Sequence, residues 1–162
     1  MPDATSTIAV RKSLVVEAPC PHAFDVFANG FNTWWPRDHH IGKSELRIAT
    51  IEPRAGGRWF ETCVDGSECD WGRVLVYEPP TRLVLAWHLN GHWAFDPDSA
   101  HASEVEVRFI AEGPARTRVE LEHRHLERAA FADELRTGVD SPQGWSGLLA
   151  LFAEKAHETR IP

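Results

Sequence analysis

Glu61 and Asp70 flank an Asp-Gly pair in the stretch WFETCVDGSECDW, residues 59–71. Asp-Gly between alternating segments is a strong hairpin signal, because both central turn residues need positive φ. A two-residue loop at Asp65 and Gly66 sets Glu61 opposite Asp70 and Thr62 opposite Cys69, which puts two carboxylates on the face shared by Trp59. Like charges directly opposed weaken a sheet. Taken out of water, one of two adjacent carboxyls is pushed up and keeps its proton, the arrangement of a general acid. At a hairpin tip projecting into water, both are simply hydrated. A three-residue loop instead pairs Glu61 with Trp71, takes Asp70 off that face, and sets Cys63 opposite Cys69, where a disulfide could form.

The run HRH at His123 to His125 offers a second chemistry. On a strand, His123 and His125 share a face and could share a metal ion, and parity with Val119 and Leu121 aims both at the covered side of a sheet. A third ligand would have to come from His88, His92 or His101, none of which stands at the spacing of a zinc site. His88 lies on the opposite parity from Trp87 and is expected to face water; His39 and His40 follow an Asp in a loop and are expected to be solvated. Neither a metal nor a cofactor is expected. His123 then reads as a hydrogen-bonding histidine, inside a cavity or at the end of a sheet.

Seven tryptophans run from Trp34 to Trp145. Each needs space for a large ring and, if buried, an acceptor for its N–H. Trp35, Trp59, Trp87 and Trp145 can fill a core or line a pocket that stacks on a flat ligand. Nucleophilic catalysis finds no support: there is no Gly-x-Ser-x-Gly elbow, and Cys20 stands between prolines with no evident base. AGGR lacks the spacing and the lysine of a phosphate-binding loop.

Length and composition bound the rest. The 162 residues are most simply one domain, residues 1–162, and can bury a sizeable core. A net charge of -7 with no basic cluster argues against a nucleic-acid partner. No apolar run approaches the roughly 20 residues of a membrane span, and the opening stretch MPDATSTIAVRKS lacks the apolar core of a signal peptide. A cytoplasmic location is expected. An odd count of three cysteines agrees with a reducing compartment.

The elements that must position these residues follow from periodicity. IAVRKSLVVE reads as a strand, and PHAFDVFANGF as a short helix with Phe24, Phe27 and Phe31 at helical spacing, stopped by Gly30. Pro36 ends a helical turn holding Trp34 and Trp35. SELRIATIEP, the two arms of the hairpin, TRLVLAWHL, SEVEVRFI and TRVELEHRH supply six further strands, the last two with the clearest alternation of polar and apolar residues. Helical pattern returns near Ala129, breaks at Gly138, and restarts in DSPQGWSGLLALFAEKAHE, where Ser141 can cap and Pro142 can take the first helical position. There Trp145, Leu148, Leu149, Phe152 and Ala156 mark one apolar face.

This order resembles the α+β helix-grip fold of the START and birch-pollen-allergen superfamily, also called SRPBCC, in which a curved antiparallel sheet wraps on a long C-terminal helix. WWP at Trp34 to Pro36, IEPRAGGRW at Ile51 to Trp59, WGRVLVYEPPTRLVLAW at Trp71 to Trp87, and Gly144-Trp145 are similar to the family named for the activator of heat-shock-protein-90 ATPase. The resemblance implies a cavity between sheet and helix that holds a hydrophobic small molecule. The heat-shock activator carries a separate N-terminal domain that docks on the chaperone; here the first strand begins at about Ile8, so chaperone activation is not expected. The reading is a binder of a hydrophobic or aromatic small molecule, using Trp35, Trp59, Glu61, Asp70, Trp87, His123 and Trp145. One alternative is a cyclase- or hydrolase-type enzyme with Glu61 or His123 as general base. The other is a stress-related, chaperone-associated protein with a filled interior and an exposed apolar patch around Trp93 and Phe95.

Overall fold

Alternation in the strands and the i, i+3, i+4 pattern in the last helix dictate a sheet with one face to cover and a helix able to cover it, and a computed structural model shows that arrangement. It describes residues 8–158; residues 1–7, part of the stretch read for a leader, lie outside. Strand β1 spans Val10–Val16, and helices α1 (Cys20–Ala28) and α2 (Phe31–Trp34) follow it. Next come β2 (Leu46–Ile51), β3 (Arg58–Cys63), β4 (Glu68–Glu78), β5 (Arg82–Trp87), β6 (Ser103–Gly113) and β7 (Arg116–Arg124). Helices α3 (Ala132–Val139) and α4 (Trp145–Glu158) close the chain.

All seven strands form one antiparallel sheet in the order β1-β7-β6-β5-β4-β3-β2. The chain leaves one edge for the two short helices and returns at the other. Val105, Val107 and Phe109 of β6 stand opposite His123, Leu121 and Val119 of β7, and all six are buried. Phe152 of α4 is fully buried against Phe27 and Trp34, with ring centroids 5.2 and 5.8 Å away at steep angles. The outer face carries the charges. Glu106 stands opposite Glu122, and Arg82, Arg108 and Arg124 surround it. Burial alone would raise its carboxyl; the three guanidinium hydrogen bonds outweigh that and hold it at about 2.

Three local expectations are corrected: the hairpin register, the place of His125 and the start of the last helix. The hairpin loop has three residues, Val64 to Gly66, with Cys63 N–H donating to Ser67 O and Gly66 at φ 89°. Glu61 therefore faces Cys69, a register that neither loop reading anticipated. An irregularity between Trp59 and Phe60 then shifts the pairing so that Trp59 faces Gly72. Cys20, Cys63 and Cys69 are free thiols. His125 lies past the end of β7 with φ 60°, so strand alternation does not reach it, and the described residues hold no cluster of three or more groups fit for a metal. Helix α4 starts at Trp145 rather than at Pro142: Ser141 Oγ donates to Gly138 O at 2.6 Å, so it closes the end of α3 instead of capping α4. Among the described residues no helix is long and apolar enough to cross a membrane.

Candidate ligand-binding site

Between the sheet and the junction of α3 with α4 lies a cavity of about 360 Å³. Six indoles line it: Trp35 after α2, Trp59 on β3, Trp71 on β4, Trp87 on β5, Trp93 in the following loop and Trp145 at the start of α4. Ile41, Leu89, Val139 and Leu148 complete the apolar wall. The polar lining residues Asp38, His39, His40, Ser141 and Gln143 have solvent access and mark the mouth.

Hydrogen bonds fix the rings. Trp35 Nε1–H donates to His39 O at 2.8 Å, and Trp87 Nε1–H to Leu89 O at 3.0 Å. Trp71 Nε1–H donates to Glu61 Oε1 at 2.7 Å. Glu61, with no solvent exposure, also accepts from the backbone N–H of Ile41 at 2.7 Å, from that of Gly42 at 2.9 Å, and from Cys63 Sγ–H at 3.2 Å. Burial and the bond to Glu61 push the Cys63 thiol up, so it remains a donor. A buried carboxylate is tolerated where donors replace its water, and this one joins β3, β4 and the loop after α2 in a single knot.

His123 plays the matching part across the cavity. Its Nδ1 accepts from Trp145 Nε1–H at 3.0 Å, so the proton of the neutral ring is assigned to Nε2, which lies 2.8 Å from Ser103 Oγ. Burial pushes the imidazole down to about 3, and the ring is neutral at ordinary pH. Trp87 packs on it at 4.7 Å between ring centroids.

The mouth is tied across by His39. Its Nδ1 lies 2.9 Å from Asp38 Oδ1 and its Nε2 2.9 Å from Gln143 O, which links the loop after α2 to the turn between α3 and α4. The hydrogen bond with His39 holds the Asp38 carboxyl below its ordinary value. Trp93 forms the outer lip, 45 % exposed and in a left-handed backbone conformation at φ 62°. It rests against Gly138, where a Cβ would come within 2.8 Å of the indole Cζ2. A left-handed tryptophan costs about 1–2 kcal/mol, and such outliers concentrate at functional sites.

Of the residues singled out from sequence, Trp35, Trp59, Trp87 and Trp145 meet in the cavity wall. Glu61 and His123 stand behind that wall and hold it. Neither leaves a lone pair open to a substrate: Glu61 takes four donors, and the one accepting nitrogen of His123 is taken by Trp145. Asp70 is elsewhere. The observed register sets it opposite Phe60 on the other face, where Arg58 Nε and Nη2 donate to its Oδ1 at 3.0 and 2.9 Å. His88, expected in water, is buried, with Nδ1 2.8 Å from Asp96 O and the ring stacked on Phe95, because the loop after β5 folds over it. Trp71, Trp93, Asp38, His39 and Gln143 escaped the sequence reading as wall residues. Only the Gly138 break in the α3 pattern hinted that something lies close to that helix.

The family model described as activator of Hsp90 ATPase homolog 1-like protein matches residues 22–155. The solved anthrahydroquino-gamma-pyrone synthase Txn09 is 42 % identical, with TM-score 0.64, covering 90 % of this chain and 95 % of that one. The self-sacrificing resistance protein CalC from Micromonospora echinospora is 34 % identical, with TM-score 0.69, covering 94 % of this chain and 96 % of that one. Protein NE0264 from Nitrosomonas europaea, at 12 % identity and TM-score 0.62 over 98 % of both chains, shares the fold alone. No curated protein matches the chain.

Proposed function

The chain belongs to the family of proteins like activator of Hsp90 ATPase homolog 1, within the SRPBCC superfamily, and from that premise we propose that it binds a flat aromatic small molecule in the tryptophan-lined cavity. The observation that carries this reading is the wall itself: six indoles line a space of about 360 Å³, and hydrogen bonds to the protein hold four of those rings in place. That volume falls in the range of small-molecule sites, which are mostly apolar with a few placed polar groups. Txn09 makes an anthrahydroquino-gamma-pyrone, a fused aromatic, which agrees with this choice of ligand. The reading as a chaperone-associated protein keeps its exposed Trp93 and Phe95, but the cavity weighs against the filled interior it requires.

The test is a titration of tryptophan fluorescence with planar compounds of two to four fused rings, among them anthraquinone-2-sulfonate. Saturable quenching at one site per chain is expected, with a Kd of about 1–10 μM, or about -8 to -7 kcal/mol. The absence of saturable quenching throughout the panel would overturn the reading. Asp70→Asn, on the far face of the sheet, is expected to leave that Kd within about twofold and stability within about 1 kcal/mol, as for a partly exposed ion pair.

The 42 % identity to a synthase favours a second reading, catalysis of ring closure in the same cavity. Any proton transfer would then fall to His40 at the mouth, whose Nδ1 lies 3.0 Å from Gly42 O and leaves Nε2 for a substrate, because Glu61, His123 and both nitrogens of His39 are committed to the protein. Turnover of a polyketide-derived quinone that His40→Ala abolishes, with binding retained, would decide for catalysis.

A further inference from the structure

His39 and His40 stand next to one another at the mouth, but only His40 keeps a ring nitrogen free of the protein. Asp38 Oδ1 and Gln143 O engage both nitrogens of His39. His40 Nδ1 lies 3.0 Å from Gly42 O, and Glu61 Oε2 is 3.9 Å from the same nitrogen. A carbonyl and a carboxylate both accept, so the proton of the neutral ring is assigned to Nδ1, and Nε2 presents its lone pair. Among the described residues Nε2 has no hydrogen-bond partner, and it is not sealed in: the one unpartnered side-chain nitrogen or oxygen without accessible surface is that of Trp59. The His40 side chain is 22 % exposed and lines the cavity. Its Nδ1 edge is turned to Gly42 and Glu61, neither of which lines that space, so the opposite edge, with Nε2, is the one that meets it.

The ring is set before any ligand arrives. Gly42 N–H donates to Glu61 Oε2 at 2.9 Å, and a Cβ at position 42 would come within 2.5 Å of Cys63 Sγ and 2.7 Å of Glu61 Oε2, so this loop is seated directly on β3. The Gly42 carbonyl that holds His40 is therefore itself held, and an acceptor fixed in advance costs little ordering when it is used. Its neighbours offer less. The Asp38 side chain is 85 % exposed to water, and Ser141 Oγ has given its proton to Gly138 O. Resting on the reading of this cavity as an aromatic-binding site, we infer that His40 Nε2 accepts a hydrogen bond from a phenolic hydroxyl on the outer edge of the flat ring system, so that the site prefers hydroxylated polycyclic aromatics to their ethers. An ether oxygen in the same place sets lone pair against lone pair and leaves the acceptor unmet. The contact also fixes which edge of the ligand stays at the mouth.

The test compares 2-hydroxyanthraquinone with 2-methoxyanthraquinone, which share the ring system and differ in the hydroxyl donor, at a pH where the phenol is un-ionised in solution. With the full chain the phenol is expected to bind about tenfold more tightly, the gain of one hydrogen bond. In His40→Phe, which keeps a flat ring and removes the acceptor, the preference should shrink to within about twofold, because a preference for the smaller substituent alone would persist there. In the unaltered, nitrogen-15-labelled protein, the His40 Nε2 resonance should move upfield with the phenol and not with the ether, a readout that does not depend on how the variant folds. Equal or tighter binding of the ether to the unaltered chain, a preference that survives His40→Phe, or an unmoved His40 resonance overturns the inference while the aromatic site stands. Binding of neither compound overturns the site and the inference together.

Discussion

Replacing Glu61 with glutamine is expected to lower the thermal midpoint by about 6–12 °C, taking a loss of about 3 kcal/mol and about 2–4 °C per kcal/mol for a chain of this size. The change keeps volume and shape and removes one acceptor. Glu61 Oε1 faces the N–H groups of Trp71 and Ile41, and Oε2 faces that of Gly42 and the thiol of Cys63. Whichever way an amide turns, its NH₂ points at donors. Backbone N–H groups cannot rotate away, so at least one buried donor is left unpaired. Since Trp71 and Ile41 both line the cavity, affinity for anthraquinone-2-sulfonate should fall along with stability. Differential scanning calorimetry checks the first effect and fluorescence titration the second. A shift below about 2 °C would mean that the carboxylate is not the knot described.

Acidification should act through His123. The folded protein holds this imidazole neutral, depressed to about 3 from an ordinary 6.5, because it is fully buried. The unfolded chain takes up the proton first, so unfolding binds protons and stability falls as pH falls. The contribution is fully present above pH 6.5 and is lost progressively between 6.5 and 3. Integrating from pH 7.5 to pH 5 gives a loss of about 2 kcal/mol from this residue alone. Glu106 acts with the same sign in a lower window, between its ordinary 4.5 and about 2. Urea unfolding of the native chain and of His123→Gln at both pH values separates the contributions. A glutamine can still accept from Trp145 and donate to Ser103, but it does not titrate. The difference in stability between the two chains should therefore narrow by about 2 kcal/mol at pH 5. A constant difference would show that the histidine is not held neutral by its surroundings.

The fold was legible because burial writes itself into period. Val105, Val107 and Phe109 against Glu104, Glu106 and Arg108 announced a one-sided strand, and Leu148, Leu149, Phe152 and Ala156 announced the covering helix. Parity also placed Glu61 and His123 on the covered face, where they are. Their roles were hidden because the partners are distant in sequence: Glu61 is held by N–H groups of Ile41 and Gly42, and His123 by Trp145. Asp70 was misplaced because loop length sets register, and a loop one residue longer moves every side chain on one arm to the other face. The irregularity at Trp59 and the left-handed residues Trp93 and His125 break periodicity altogether, so no pattern could announce them. Unpatterned loops supply most of the mouth, which is why no periodicity marks Asp38, His39 and Gln143.

Anchoring four of the wall indoles through their nitrogen atoms leaves those rings little freedom to swing aside. Their conformational entropy is already spent when the chain folds, so a guest finds a gauge of set width rather than a cushion. If the cavity takes the ligand proposed, such a gauge should sort by thickness: planar polycycles are expected to pass, while puckered, saturated skeletons of equal oil solubility, such as steroids, are expected to be turned away.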